Sequence, residues 1–384
     1  MLNIDGVVRP LLRPVKKRAL QAYERFERNM FGHPDSHWME APPNLSSSMI
    51  GKDTGDIRFN QFPNVQHYIR RPGILRMEAV SLAGLVTNTH NDPKDDKKYT
   101  FGLVDKWGFP LSYIYGGRGW KEWRAKVQIG PILKTYGRRP TVALLGRSFA
   151  TNYFHWLTDV VGDYWFLKKA GFNIDDVDLY VCPGGDEKWQ QEIFSIIGIP
   201  DQKRISIKNI GTIHGIDAII PYRSKASSEV IPTWISTALR EQIGHNASQN
   251  SSRRLLYLSR KDARRRKVVN ESCIIESLKA KGFIEVQCEG MTIKEQQQLF
   301  GCANTIIAAH GAALTNIIWC NKNTNIIDIL PERKKTPCFN ILSIQCNLNY
   351  NPIWTKSIKT YKQQEHWDDI EITPAAVDQI MKFV

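Results

Sequence analysis

At 384 residues the chain is long enough for two hydrophobic cores, and 42% hydrophobic against 23% charged residues fits a globular fold. No run of about 18 or more apolar residues occurs, so the pattern contains no membrane-spanning helix. A formal net charge of +14 calls for an anionic partner, but basic and aromatic residues are not interleaved as a stacking platform requires, which argues against nucleic acid. Seven cysteines are scattered without a CxxC pair, an arrangement that suits a reducing cytosol and argues against a structural zinc. The opening stretch MLNIDGVVRPLLRPVKKRAL lacks a secretory apolar core and a small-residue cleavage site.

Arg9–Phe31 is expected to be a basic amphipathic helix, with Leu20, Tyr23, Phe26 and Met30 at helical spacing among Arg13, Lys16, Lys17, Arg18, Arg25 and Arg28. Such a helix either lies on an anionic membrane or packs on its own domain. His33–Gly55 is polar loop. Short strands and turns follow at Gly73–Leu75, Val80–Val86 and Thr141–Leu145, with Gly116–Gly119 taken as a turn.

Asn152–Asp159, NYFHWLTD, opens a helix that continues through Val160–Lys169. His155 and Asp159 are four apart and share a face, with Asp163 one turn on; the pair either holds a general base or makes a surface hydrogen bond. Val177–Val181, Arg204–Ile207 and Ile213–Pro221 are strands, and Lys188–Ile197 and Glu229–Gly244 are helices. This alternation predicts a doubly wound α/β domain over residues 1–245. The linker Asn246–Ser252, NASQNSS, marks the boundary to a second domain, residues 246–384.

The second domain begins with a strand, Arg254–Leu258, that runs into Ser259–Arg266, SRKDARRR. Arginine offers planar bidentate donors to a diphosphate; the alternative is a solvated basic turn. Glu276–Lys281 is helix, Ile284–Gln287 strand and Lys294–Cys302 helix. The strand Thr305–Ala309 then empties into His310-Gly311-Ala312-Ala313, after which Leu314–Trp319 has helical spacing. A strand that turns into a helix through small residues presents unpaired amides to an anion, with His310 at the mouth as a donor to phosphate or sugar oxygen. In the alternative, Gly311 only relieves crowding in a tight turn. A strand at Asn325–Leu330 carries Asp328, either an acceptor for ribose hydroxyls or a surface acid. The last helix, Thr373–Val384, is expected to pack back on the first domain.

These blocks together resemble glycosyltransferase family 61. The resemblance rests on NYFHWLTD at Asn152–Asp159, YLSRKDARRRKVVNE at Tyr257–Glu271, Glu289 with KEQQQLF at Lys294–Phe300, and HGAALTNIIW at His310–Trp319. It implies an α/β fold of the GT-B type, two Rossmann-like domains facing across a cleft, and inverting transfer of a sugar from a nucleotide-sugar donor to a saccharide or lipid-linked acceptor. No cofactor or metal is expected; Asp95-Asp96 lies in a polar loop, and the DxD within Asp175–Asp178 leads into a buried strand. Carried over residue by residue, Asp159 and His155 are the catalytic pair. Asp159 is preferred as base with His155 orienting it, and the reverse assignment stays open. Arg260, Arg265, Gln296, His310, Gly311, Ala312, Ala313, Asn316 and Asp328 bind the donor, supported by Asn152, Asn270, Glu271 and Glu289. The implied setting is capsule, O-antigen or exopolysaccharide assembly by a cytoplasmic protein in peripheral contact with the anionic inner membrane. Two alternatives remain, a non-catalytic scaffold of envelope assembly and a nucleotide-sugar epimerase.

Overall fold

The apolar runs assemble into two sheets. The structure, a computed structural model, describes residues 36–40, 73–87, 98–104, 126–127, 138–146, 151–205, 212–222, 231–232, 234–244, 254–261, 263, 265–332, 336–358 and 368–383. The expected N-terminal helix Arg9–Phe31 and the linker Asn246–Ser252 lie outside these residues. Among the described residues no helix is long and apolar enough to cross a membrane.

The first sheet comprises β1 (Ser36–Glu40), β2 (Gly73–Thr87), β3 (Lys98–Val104), β4 (Lys126–Val127), β5 (Thr141–Leu144), β6 (Leu179–Val181), β7 (Arg204–Ile205) and β8 (Thr212–Tyr222). Its order is β1-β2-β8-β5-β6-β7, with β3 and β4 also pairing β2. Strands β8, β5, β6 and β7 are mutually parallel, and β2 adds antiparallel to β8. The two short strands expected at Gly73–Leu75 and Val80–Val86 are one long strand, β2, whose register on β8 shifts between Met77 and Leu82. An irregularity absorbed by the partner strand keeps the hydrogen-bond ladder going where the sequence pattern breaks.

The second sheet comprises β9 (Arg254–Leu258), β10 (Phe283–Val286), β11 (Ala303–Ala309), β12 (Asn325–Pro331), β13 (Asn349–Ile358) and β14 (Asp369–Glu371), in the order β10-β9-β11-β12-β13-β14. All pairs are parallel except β13 with β14. Counted from β9, the parallel strands run 2-1-3-4-5, a doubly wound order whose topological switch lies between β9 and β11. Ligands in such sheets bind outside the carboxyl ends of the strands at that switch.

The helical run α1 follows β5 and has three parts: an α turn at Tyr153–His155, a π segment at Trp156–Val161 and an α segment at Gly162–Lys169. It is followed by α2 (Lys188–Ile197), α3 (Ile235–Ile243), α4 (Glu271–Lys279), α5 (Ile293–Gly301), a 3₁₀ helix (Ala312–Trp319), α6 (Cys338–Gln345) and α7 (Pro374–Met381). Helix α3 starts at Ile235, later than expected, because Pro232 cannot donate to an earlier turn and instead accepts from the Ile235 amide. Helix α4 starts at Glu271, five residues earlier than expected, because Ile274, Ile275 and Leu278 are buried against the sheet. Helix α7 packs on the second sheet through Ala376 and Ile380.

One apolar core runs between the sheets, from Ala143 and Trp156 through Trp234 and Leu239 to Leu256, Ile306, Trp319 and Phe339. Polar bonds cross the same junction. Arg240 on α3 donates to the Ile318 and Cys320 carbonyls, and the Ile293 amide at the start of α5 donates to the Glu192 carboxylate on α2. The two halves are therefore held against each other at the carboxyl ends of β6 and β11.

Candidate active site

At the switch point, the loop after β9 meets the turn after β11. Arg260 is pinned from several sides. Its amide donates to Glu271 Oε1 at 2.7 Å, its Nε to the Arg266 carbonyl at 2.9 Å and its Nη2 to the Arg265 carbonyl at 2.8 Å. This leaves Nη1 lying over Gly311, where a Cβ would sit 1.8 Å from it. Gly311 has φ of −172°, extended backbone open to any residue, so the glycine is required by the guanidinium and not by the turn. The anion-site expectation and the crowding expectation thus meet: the group that crowds Gly311 is itself a guanidinium cation.

Ala312 opens a 3₁₀ helix where an α-helix was expected. The Thr315 hydroxyl donates to the Ala312 carbonyl at 2.7 Å, and the Leu314 amide to the Gly311 carbonyl at 3.0 Å, which tightens the turn. A 3₁₀ turn gives the Ala312 and Ala313 amides no acceptor of its own, and both residues are partly exposed beside Arg260.

Two sequence expectations are revised here, and two supporting residues are placed. His310 is not an outward donor. It is only 5% exposed, with Nδ1 2.9 Å from Asp328 Oδ2 and Nε2 3.9 Å from Cys338 Sγ. Asp328 is fully buried in the middle of β12, neither exposed nor at the strand end; its Oδ2 also accepts from the Tyr350 hydroxyl, and burial followed by this carboxylate pushes the phenol pKa up. Asn270 clamps the backbone of Ile372, accepting from its amide and donating to its carbonyl. Glu271 is buried and accepts from the Tyr257 hydroxyl as well as from Arg260, so it holds the loop and not a ligand. Arg265 is half-buried, and its carbonyl supports Arg260.

Helix α1 is set against this turn. Asn152 is its N-cap, accepting from the His155 amide at 3.0 Å. His155 Nδ1 lies 3.8 Å from Asp159 Oδ2, within ion-pair reach but longer than a hydrogen bond. Asp159 is 1% exposed, whereas the His155 side chain is 23% exposed. The pair straddles the start of the π segment, whose wider turn stacks residues four apart more nearly above one another. Asp163, one turn on, accepts from the Gly146 amide at 2.7 Å and ties α1 to the end of β5. Edge contacts from His155 to Phe154 and from Phe154 to Phe339, then a tilted contact from Phe339 to His310, join the two histidines through two rings.

Beside the turn lies a cleft of about 600 Å³, with Tyr153 and Trp189 from the first half facing Cys288, Glu289, Met291, Gln296, Ala313 and Asn316 from the second. Tyr153 donates to Asn316 Oδ1 at 2.8 Å, Asn316 Nδ2 to Gln296 Oε1 at 2.6 Å, and Gln296 Nε2 to the Met291 carbonyl at 3.1 Å. This chain is the cleft floor, and it engages the Asn316 and Gln296 amides with each other. Burial, then the charges of Cys288 and Glu192, hold the Tyr153 phenol neutral far above its usual range. Tyr153 and Trp189, edge to face at 5.1 Å, were not foreseen as site residues. Tyr153 sits inside the NYFHWLTD block, but Trp189 has no sequence signal beyond being one of eleven tryptophans.

A cationic, amide-rich turn at the switch point of an α/β sheet, with an aromatic cleft beside it, is the kind of place where such sheets bind ligands. Comparison with protein families narrows this: residues 153–327 match the family described as Glycosyltransferase 61. Over that stretch, from the first residue of α1 into β12, the chain is similar to glycosyltransferase family 61. No curated protein matches the chain.

Proposed function

We propose that the protein is an inverting, metal-independent glycosyltransferase of GT-B arrangement that takes its sugar from a nucleotide-sugar donor. The observation that carries this is the convergence of Arg260 with the Gly311–Ala313 turn at the edge of an aromatic cleft. In this reading the donor diphosphate lies on the Ala312 and Ala313 amides and the Arg260 guanidinium, and the nucleoside fills the cleft against Tyr153, Trp189 and Glu289. Charge growing on the leaving diphosphate then meets fixed donors that need no reorganisation, each worth about 10²–10³ in rate in comparable sites.

The acceptor hydroxyl must lose its proton as it attacks the anomeric carbon. The burial of Asp159 beside the more exposed His155 favours the reverse of the preferred sequence assignment: His155 as the base and Asp159 as the carboxylate on its Nδ1 side. The acceptor is a saccharide, and the +14 charge suits an anionic, lipid-linked one presented at a cytoplasmic membrane surface during polysaccharide assembly. The test is turnover of a panel of nucleoside-diphosphate sugars, with and without saccharide acceptors. His155→Ala is expected to abolish transfer while keeping affinity for the nucleoside diphosphate. Unchanged turnover in that variant removes His155 from the reaction, and product formed without any acceptor replaces transfer by epimerisation.

A further inference from the structure

We propose that Asp328 is a positioning residue for the phosphate turn, acting through the ring of His310, with Cys338 closing the other side of that ring. The proposal rests on the donor-site reading above and gives the conspicuous acid of β12 a role other than ligand contact. Asp328 is the single charged residue of the seven-residue strand Asn325–Pro331 and is fully buried. A carboxylate in such a place persists only with dedicated partners.

Those partners converge on one oxygen. Oδ2 lies 2.9 Å from His310 Nδ1 and 2.8 Å from the Tyr350 hydroxyl, whereas Oδ1 is buried with no hydrogen-bond partner. In the proposed arrangement Asp328 Oδ2 accepts from a protonated His310 Nδ1, and Nε2 is turned toward Cys338 Sγ. The ring is packed on Phe339 at 4.8 Å, and the His310 amide donates to the Ile329 carbonyl of β12 at 2.9 Å. Backbone and side chain of His310 are thereby both fixed to β12, one residue before the glycine beneath Arg260. The direction in which the Ala312 and Ala313 amides leave the sheet is set by that double attachment.

The experiment uses full-length protein labelled with ¹⁵N-histidine, the His310 signal being assigned by its loss in His310→Gln. Side-chain ¹⁵N shifts report which ring nitrogen carries the proton, and calorimetry with inorganic pyrophosphate at physiological salt reports the turn. Wild type is expected to show a protonated Nδ1. Asp328→Asn should move the proton to Nε2 and weaken pyrophosphate at least tenfold, while Tyr350→Phe should leave the Nδ1 proton in place. An Nε2-protonated His310 in wild type overturns the proposal without any variant having to fold. Equal pyrophosphate affinity in wild type and Asp328→Asn overturns it as well and leaves the donor site standing. No pyrophosphate binding by wild type refutes the donor site, and this role with it.

Discussion

Replacing Gly311 with alanine isolates the contact on which the site is built. With φ at −172° the backbone accepts alanine without strain, so the whole effect falls on Arg260, whose Nη1 would lie 1.8 Å from the new methyl group. The guanidinium must swing out, giving up its bonds to the Arg265 and Arg266 carbonyls. Hydrogen bonds from a charged group are worth about 1.5–3 kcal/mol each, and the methyl group that displaces Arg260 forfeits those to the Arg265 and Arg266 carbonyls. Loss of one such bond to the ligand corresponds to roughly 10–100-fold in affinity. The assay is calorimetry with a nucleoside diphosphate on wild type, Gly311→Ala, Arg260→Ala and the double variant. Each single variant should lose that factor, and the double variant should lose little more than Arg260→Ala alone, a coupling of about 1.5–3 kcal/mol between residues in contact. If Gly311→Ala weakens binding equally whether or not Arg260 is present, the glycine does not serve the arginine and the argument fails.

Other expectations concern the floor and the flanks of the cleft. Tyr153→Phe leaves Asn316 Oδ1 buried without its 2.8 Å partner and should lower stability by about 1–3 kcal/mol in urea unfolding; a change near zero would mean that the bridge between the halves contributes nothing. Trp189→Ala should weaken nucleoside binding by about 1–3 kcal/mol, the size of a stacking contact, with inorganic pyrophosphate affinity unchanged; equal losses for both ligands would place the base elsewhere. Burial, reinforced by Asp186, pushes the Cys182 thiol from 9.0 up to about 12. The unfolded thiol ionises first, so this contribution to stability is complete below pH 9.0 and falls away as pH rises toward about 12. Cys182→Val should flatten the alkaline limb of the stability curve, and an unchanged slope would assign the loss to other groups.

The strand ends were legible because parallel strands buried on both faces leave continuous apolar runs: Arg254–Leu258 and Thr141–Leu144 fall where the pattern puts them. The chain also announced that a cationic loop and a small-residue turn follow neighbouring strands, since charge and glycine are local signals. What it did not announce was direction. His310 and Asp328 look like ligand groups in sequence, and only the parallel register of β11 with β12 turns them toward each other. What Glu271 and Asn270 support was hidden for the same reason, since their partners Tyr257 and Ile372 are set by tertiary packing. Helix α6, CFNILSIQ, is buried on nearly every side and so lacks the one-faced periodicity that marks a surface helix. The burial of Asp159 beside a more exposed His155, which favours His155 as the base, is something no i,i+4 spacing reveals.

The most direct test of the central claim is a crystal structure of the protein with a nucleoside-diphosphate sugar soaked in, at a concentration that gives saturating binding in solution. The account predicts the diphosphate on the Ala312 and Ala313 amides and Arg260 Nη1, the base between Tyr153, Trp189 and Glu289, and the sugar facing His155. A nucleotide bound on another edge of either sheet, or a diphosphate that leaves Arg260 and the turn untouched, would contradict it.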